Sequence, residues 1–167
     1  MKKLSKTIGT LAIAAAITLT SPGTGHASEG THLGNQGSNK CLEVENSSTR
    51  DGARVQQWSC TSSAAGQYWR TATAGQSGGP SWAFYIINSN SDKCLEIADS
   101  RTDNGAPAQQ WLCDPGNKTQ MWYFNNGAIV NLNSGKVLEI ADSSTSNGAR
   151  AQQWLFSPGA PGQLWNY

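Results

Sequence analysis

Short runs in which apolar and polar residues alternate recur along the chain: Leu42-Glu43-Val44, Leu95-Glu96-Ile97 and Leu138-Glu139-Ile140. A period of two predicts strands that place the aliphatics on one face and the Glu on the other. Asp51-Gly52, Asn104-Gly105 and Asn147-Gly148 follow at a constant distance, as residues that accept positive φ in a tight reversal. A second short strand then carries Gln-Gln-Trp. Extended in both directions, the pattern resolves into three copies, CLEVENSSTRDGARVQQWSC from Cys41, CLEIADSRTDNGAPAQQWLC from Cys94 and VLEIADSSTSNGARAQQWLF from Val137. Each is closed nine residues after its Trp by a second Gln-x-Trp: Gln67 and Trp69, Gln120 and Trp122, Gln163 and Trp165. The copies are offset by 53 and 43 residues at each of these landmarks. The extra residues of the first interval fall between Trp69 and Cys94, where ATAGQSGGPS reads as a surface loop. One repeat is too small to close a core, so three must pack about a shared axis, over about 34–70, 84–125 and 127–167.

The segment before the repeats changes where the protein is expected to work. Lys2, Lys3 and Lys6 precede an apolar run from about Ile8 to Leu19, and small residues Gly25 and Ala27 end the stretch, so residues 1–27 read as a secretory signal peptide cleaved after Ala27. The run is too short to span a bilayer. Its removal takes three of the 12 Lys and Arg and none of the 11 Asp and Glu, so the remainder carries a formal charge of −2. That balance points to neither nucleic acid nor anionic lipid as partner. The expected location is extracellular, without a membrane anchor. Seven Trp and a regular period exclude a disordered linker.

The repeats also choose among cysteine pairings that spacing alone leaves open. Cys41 to Cys60 and Cys94 to Cys113 are both 19 apart, and the same two positions in the third copy are Val137 and Phe156. Partners lost together are partners that touched. The expected bridges are therefore Cys41 with Cys60 and Cys94 with Cys113. A zinc site does not fit widely spaced thiol pairs with His32 as the one histidine after the leader.

Cys-Leu-acid-aliphatic, a Gly turn, a Gln-x-Trp strand, Cys and a closing Gln-x-Trp, three times in register, resemble the ricin B-type lectin family, which also supplies carbohydrate-binding modules of secreted glycosidases. The resemblance runs from about Gly34 to Tyr167 within a domain of 30–167. It implies an all-β fold, a β-trefoil whose six-stranded barrel is closed at one end by three hairpins, with up to three shallow sugar sites, one per repeat. Position by position it implies sugar-binding carboxylates at Glu43, Glu96 and Glu139, stacking aromatics at Trp58, Trp111 and Trp154, and hydroxyl-binding amides at Gln56, Gln109 and Gln152. An ionised oxygen pair accepts strong bonds from adjacent hydroxyls, and an aromatic face takes the C–H side of a pyranose. Two positions depart from the family's pattern. Glu stands where many sugar-binding members have Asp, and Gly66, Thr119 and Gly162 stand where a sugar-binding Asn is common.

Each residue also has a structural role open to it. Trp69, Trp122 and Trp165 are expected in the core, with Gln67, Gln120 and Gln163 satisfying turn backbone. Alternation puts Trp58, Trp111 and Trp154 opposite Val55, Ala108 and Ala151, although twist could tuck them inward. The three Glu could simply be solvated. Asn46-Ser47-Ser48 and Asn117-Lys118-Thr119 match the glycosylation pattern.

Catalysis is not expected. The recurring carboxylates lie one per lobe, so no two flank a single glycosidic bond at the ~5–9.5 Å that hydrolysis needs. Glu45 has no counterpart at Ala98 or Ala141. No cofactor or metal is implied, since Asp99, Asp103 and Asn104 lack the spacing of a calcium loop. The expected partners are glycans or polysaccharide, with separately secreted enzymes or complex subunits as further candidates. The alternative function is a protein-binding trefoil, an inhibitor or assembly subunit, acting through the 70–83 loop and Trp82.

Overall fold

The alternating runs form strands in a computed structural model that describes residues 30–167. The expected leader, 1–27, lies outside the described residues. In chain order the strands are β1 (Thr31–His32), β2 (Gly34–Asn35), β3 (Cys41–Val44), β4 (Ala53–Trp58), β5 (Tyr68–Thr73), β6 (Phe84–Asn88) and β7 (Cys94–Ile97). They continue as β8 (Ala108–Trp111), β9 (Met121–Asn125), β10 (Ala128–Asn131), β11 (Val137–Ile140), β12 (Ala151–Trp154) and β13 (Trp165–Asn166). Every ladder is antiparallel.

Two sets of strands separate by pairing. β1 pairs with β5, β5 with β6, β6 with β9, β9 with β10, and β13 with β2. β1 and β2 flank Leu33 as two halves of one interrupted strand, and Trp165 N–H donates to Gly127 O at 2.8 Å beside β10, which closes a six-stranded barrel. The hairpins β3–β4, β7–β8 and β11–β12 cap it, meeting through β4–β8 pairing and the bridges Gln56 to Arg150 and Pro107 to Gln152. This is a β-trefoil of three pseudo-threefold-related lobes. Its bridges are Cys41–Cys60 and Cys94–Cys113.

The core forms where the inner faces of hairpins and barrel converge. Leu42, Val44, Leu95, Ile97, Leu138 and Ile140 pack there with Trp69, Trp122 and Trp165. Burying an indole obliges its N–H to find an acceptor. Each does so on its own lobe: Trp69 Nε1 on Leu42 O at 2.9 Å, Trp122 on Leu95 O and Trp165 on Leu138 O at 3.0 Å.

Two local readings need correction. Of each turn pair only the glycine is left-handed, with φ of 74° at Gly52, 81° at Gly105 and 78° at Gly148. The preceding Asp51, Asn104 and Asn147 act through their side chains instead, as described below. The other left-handed pairs lie earlier in each loop, at Asn46-Ser47, Asp99-Ser100 and Asp142-Ser143. Nor is the insertion merely a surface loop. It lengthens the β5–β6 ladder to Thr73 opposite Phe84 and buries Ala74 and Ala83 against Tyr85, Ile87 and Met121. The corresponding β9–β10 ladder ends at Asn125 opposite Ala128 in a two-residue turn.

Candidate functional site

On each hairpin the outward face is set by strand register. Glu43 lies opposite Gln56 and Cys41 opposite Trp58, and the same pairs recur as Glu96 with Gln109 and Glu139 with Gln152. Residues directly opposite share a face, so each Glu, Gln and Trp of a repeat come together. Trp58, Trp111 and Trp154 remain 43, 44 and 40 % exposed, on the side opposite Val55, Ala108 and Ala151.

The carboxyls are not solvated. Glu43, Glu96 and Glu139 are buried at 6, 7 and 7 % exposure, each gripped by two amides of its own lobe. Gln67 Nε2 donates to Glu43 Oε2 at 2.7 Å and Gln56 Nε2 to Oε1 at 3.2 Å. Gln120 and Gln109 hold Glu96 the same way at 2.7 Å each, and Gln163 and Gln152 hold Glu139 at 2.6 and 2.9 Å. The additional methylene of Glu thus lets the carboxyl reach the glutamine of the closing motif. Two oxygens offer about four lone-pair sites, so two such bonds leave acceptor capacity for a ligand hydroxyl. The closing glutamines also serve the turn backbone, as Gln67 does by donating to Ser59 O at 3.0 Å and accepting from Thr61 N–H at 2.9 Å.

Each site is completed by a different lobe. A Cβ placed on Gly52 would lie 3.5 Å from the Trp111 ring, one on Gly105 3.6 Å from Trp154, and one on Gly148 3.6 Å from Trp58. The Asx before each glycine accepts from the backbone just after that tryptophan: Asp51 from Leu112 N–H at 2.9 Å, Asn104 from Leu155 N–H at 3.1 Å, and Asn147 from Ser59 N–H at 3.0 Å. The second glutamine of each Gln-Gln-Trp, wholly buried, ties the same loop down. Gln110 donates to Ser48 O and Arg50 O at 2.8 and 2.9 Å, and Gln57 and Gln153 make the matching pairs. Asp51 also pairs with Lys93 Nζ at 2.7 Å. That bond holds its carboxyl below the ordinary carboxylate range, against a smaller effect of burial, with the Leu112 N–H adding to the lowering. Asp103 is likewise lowered, by its hydrogen bond from Arg101.

The middle lobe carries an open cleft beside its tryptophan. A cavity of about 460 Å³ is lined by Glu96, Asp99, Gln109, Trp111, Asn117 and Thr119. In the outer lobes the corresponding corner is drawn in by glycine. Gly66 N–H donates to Ser47 Oγ at 2.9 Å and Gly162 N–H to Ser143 Oγ at 3.2 Å. A Cβ on Gly66 would meet Val44 O at 2.7 Å, and one on Gly162 would meet Ser143 Cα at 2.8 Å. Thr119 has a side chain at this position, and its N–H and hydroxyl donate to Asn117 Oδ1 at 3.1 and 2.9 Å. Asp99, Asn117 and Thr119 were missed as cleft residues. Their signal was present in the sequence, since Asn117-Lys118-Thr119 replaces Ala64-Ala65-Gly66 and Ala160-Pro161-Gly162. For a metal, His32 lies within ligand distance of Cys41 and Cys60 among the described residues, but those sulfurs are joined in a disulfide.

Three hairpins capping a six-stranded barrel, each with a tryptophan face beside a buried carboxyl and two amides, define a β-trefoil of lectin type. The chain belongs to the family of the ricin-type beta-trefoil lectin domain, whose pattern matches residues 29–165. Among solved structures it is similar to the designed 3-fold symmetric protein ThreeFoil, at 32 % identity and a TM-score of 0.71, covering 80 % of this chain and 94 % of that one. It is also similar to part of an exo-beta-1,3-galactanase from Clostridium thermocellum, at 27 % identity and a TM-score of 0.72, covering 80 % of this chain and 28 % of the enzyme. The C-half of the earthworm R-type lectin, solved with GalNAc, shares the fold at 20 % identity and a TM-score of 0.65, covering 81 and 94 %. No curated protein matches the chain.

Proposed function

We propose that this protein is a secreted carbohydrate-binding protein, a lectin or a stand-alone carbohydrate-binding module, with up to three sites and the middle lobe the best formed. Membership of the ricin-type family and the likeness to lectins support carbohydrate binding. The observation that carries the middle-lobe assignment is the cleft in which the Trp111 face stands beside the Glu96 carboxyl, with Asp99, Asn117 and Gln109 around it. A pyranose laid on the indole through its C–H face would present ring hydroxyls to those oxygens and amides. Separately secreted enzymes acting on the same polysaccharide are natural companions. The likeness to part of a galactanase makes galactose and its β-1,3-linked oligomers the first ligands to try.

The test is a glycan array with the purified chain from residue 28, repeated with Trp111→Ala. Binding to at least one glycan class, weakened by about tenfold in the variant, is the expected result. An array on which the folded wild type binds nothing would end the reading.

A further inference from the structure

The pseudo-threefold symmetry is broken in two places, and both meet at Tyr123. The insertion between β5 and β6 carries Trp82, 59 % exposed, whose ring stands edge-on to Tyr123 at a centroid distance of 5.3 Å and an angle of 86°. Tyr123 also lines a groove of about 180 Å³ together with Phe156, Val130, Val137, Asn125 and Asn126. In the middle lobe the equivalent positions are packed over. There Ile87 and the Cys94–Cys113 bridge are covered by Ala74, Ala83 and Met121, so the insertion fills the space from within. In the third lobe Val137 and Phe156 replace the bridge and the two-residue turn Asn126-Gly127 replaces the insertion, which leaves the groove open.

The groove adjoins a candidate sugar site. Val137 lies directly opposite Trp154 on the neighbouring strand, so their side chains share a face about 5 Å apart. Phe156, 53 % exposed, follows Trp154 by two residues. The lining fits a neutral ligand with a flat apolar side, for it offers aromatic walls and two amides and includes no residue charged at neutral pH. At ~30 Å³ per water, the volume holds about six waters, the scale of one ring. A peptide strand fits poorly. β10 and β11, which carry Val130 and Val137, are each paired on both sides, and the outer side of β12 is bridged from Gln152 to Pro107, so the floor of the groove offers no edge for a strand to join.

Resting on the carbohydrate-binding reading above, we infer that the third lobe binds a neutral oligosaccharide, one ring on Trp154 and the next between Phe156 and Tyr123, with Trp82 buttressing Tyr123. The experiment uses a Trp58→Ala/Trp111→Ala background that leaves this lobe intact. The probes are galactose, glucose, xylose and mannose, each beside its β-linked di- and trisaccharide. At least one trisaccharide should bind roughly tenfold more tightly than its monosaccharide, a factor worth about 1.4 kcal/mol. Phe156→Ser and Trp82→Ala, both at exposed positions, should each cut that ratio to about twofold or less while monosaccharide binding persists. A ratio that survives both substitutions overturns the inference, as does a background that binds none of the probes when the wild type binds. A synthetic peptide of residues 74–83 tests the rival occupant. If it, rather than an oligosaccharide, shifts the Tyr123 and Phe156 resonances, the groove is a protein-docking surface. Failure of the wild type on every probe and on the full glycan array would instead remove the sugar reading, and this inference with it.

Discussion

Glu96 shows how one residue is claimed by both stability and binding. Its carboxyl is the shared acceptor for Gln109 and Gln120, and Gln120 in turn holds Leu112 O at 3.0 Å and the Asp114 N–H at 2.8 Å. Glu96→Ala should therefore lower unfolding stability in urea by about 1–3 kcal/mol, the cost of stranding a buried donor, and should abolish sugar binding at the middle lobe. Glu96→Gln keeps one acceptor and the shape, so part of the stability should return without the binding. Asp51 adds a pH dependence. Its carboxyl is depressed by Lys93, so whatever it contributes to the folded state is present above the ordinary carboxylate pKa and lost as pH falls through the lowered one. Lys93→Met should raise the Asp51 titration midpoint, followed by carboxyl carbon shifts. An unchanged midpoint would mean that the ion pair does not form in solution.

Among the elements, the hairpins were the most legible part of the chain. A two-residue period and a shared offset fixed β3, β7 and β11, their partner strands and both bridges, because register in a half-buried strand leaves little freedom. The alternation placed the Glu on the outer face, as the structure has them, but did not reveal that glutamines arriving 24 residues later in sequence cover them. No local pattern encodes that cover. The Asx-Gly turns were found, but their job of gripping another lobe was not, since contacts between Asp51 and Leu112 or Asn104 and Leu155 follow only from closure of the trefoil. The third hairpin offers a direct test of the symmetry. The bridged Cα atoms stand 5.1 and 5.0 Å apart in the other two lobes. Val137→Cys with Phe156→Cys should form a third bridge, leave no free thiol and stabilise the fold by up to about 3 kcal/mol on the chain-entropy account. Free thiols at 137 and 156 after oxidative refolding would show that the third lobe departs from the other two.

For the whole molecule, the consequence of threefold repetition is multivalency. A single shallow site with one stacked ring and a few hydrogen bonds is worth about 4–5 kcal/mol, or roughly millimolar affinity. Three such sites on one rigid body can raise avidity for a polymer by about 10² or more, provided the polymer reaches two at once. The interlocking of the lobes, with Trp58, Trp111 and Trp154 each seated on another lobe's glycine turn, holds the sites in a fixed mutual geometry. The most direct measurement is a set of polysaccharide binding isotherms for the wild type, the single variants Trp58→Ala, Trp111→Ala and Trp154→Ala, and the triple variant, each beside the matching monosaccharide. Single variants should lose far more affinity for polysaccharide than for monosaccharide, and the triple variant should lose both while its circular dichroism remains that of the wild type. A folded triple variant that binds polysaccharide as the wild type does would contradict the account.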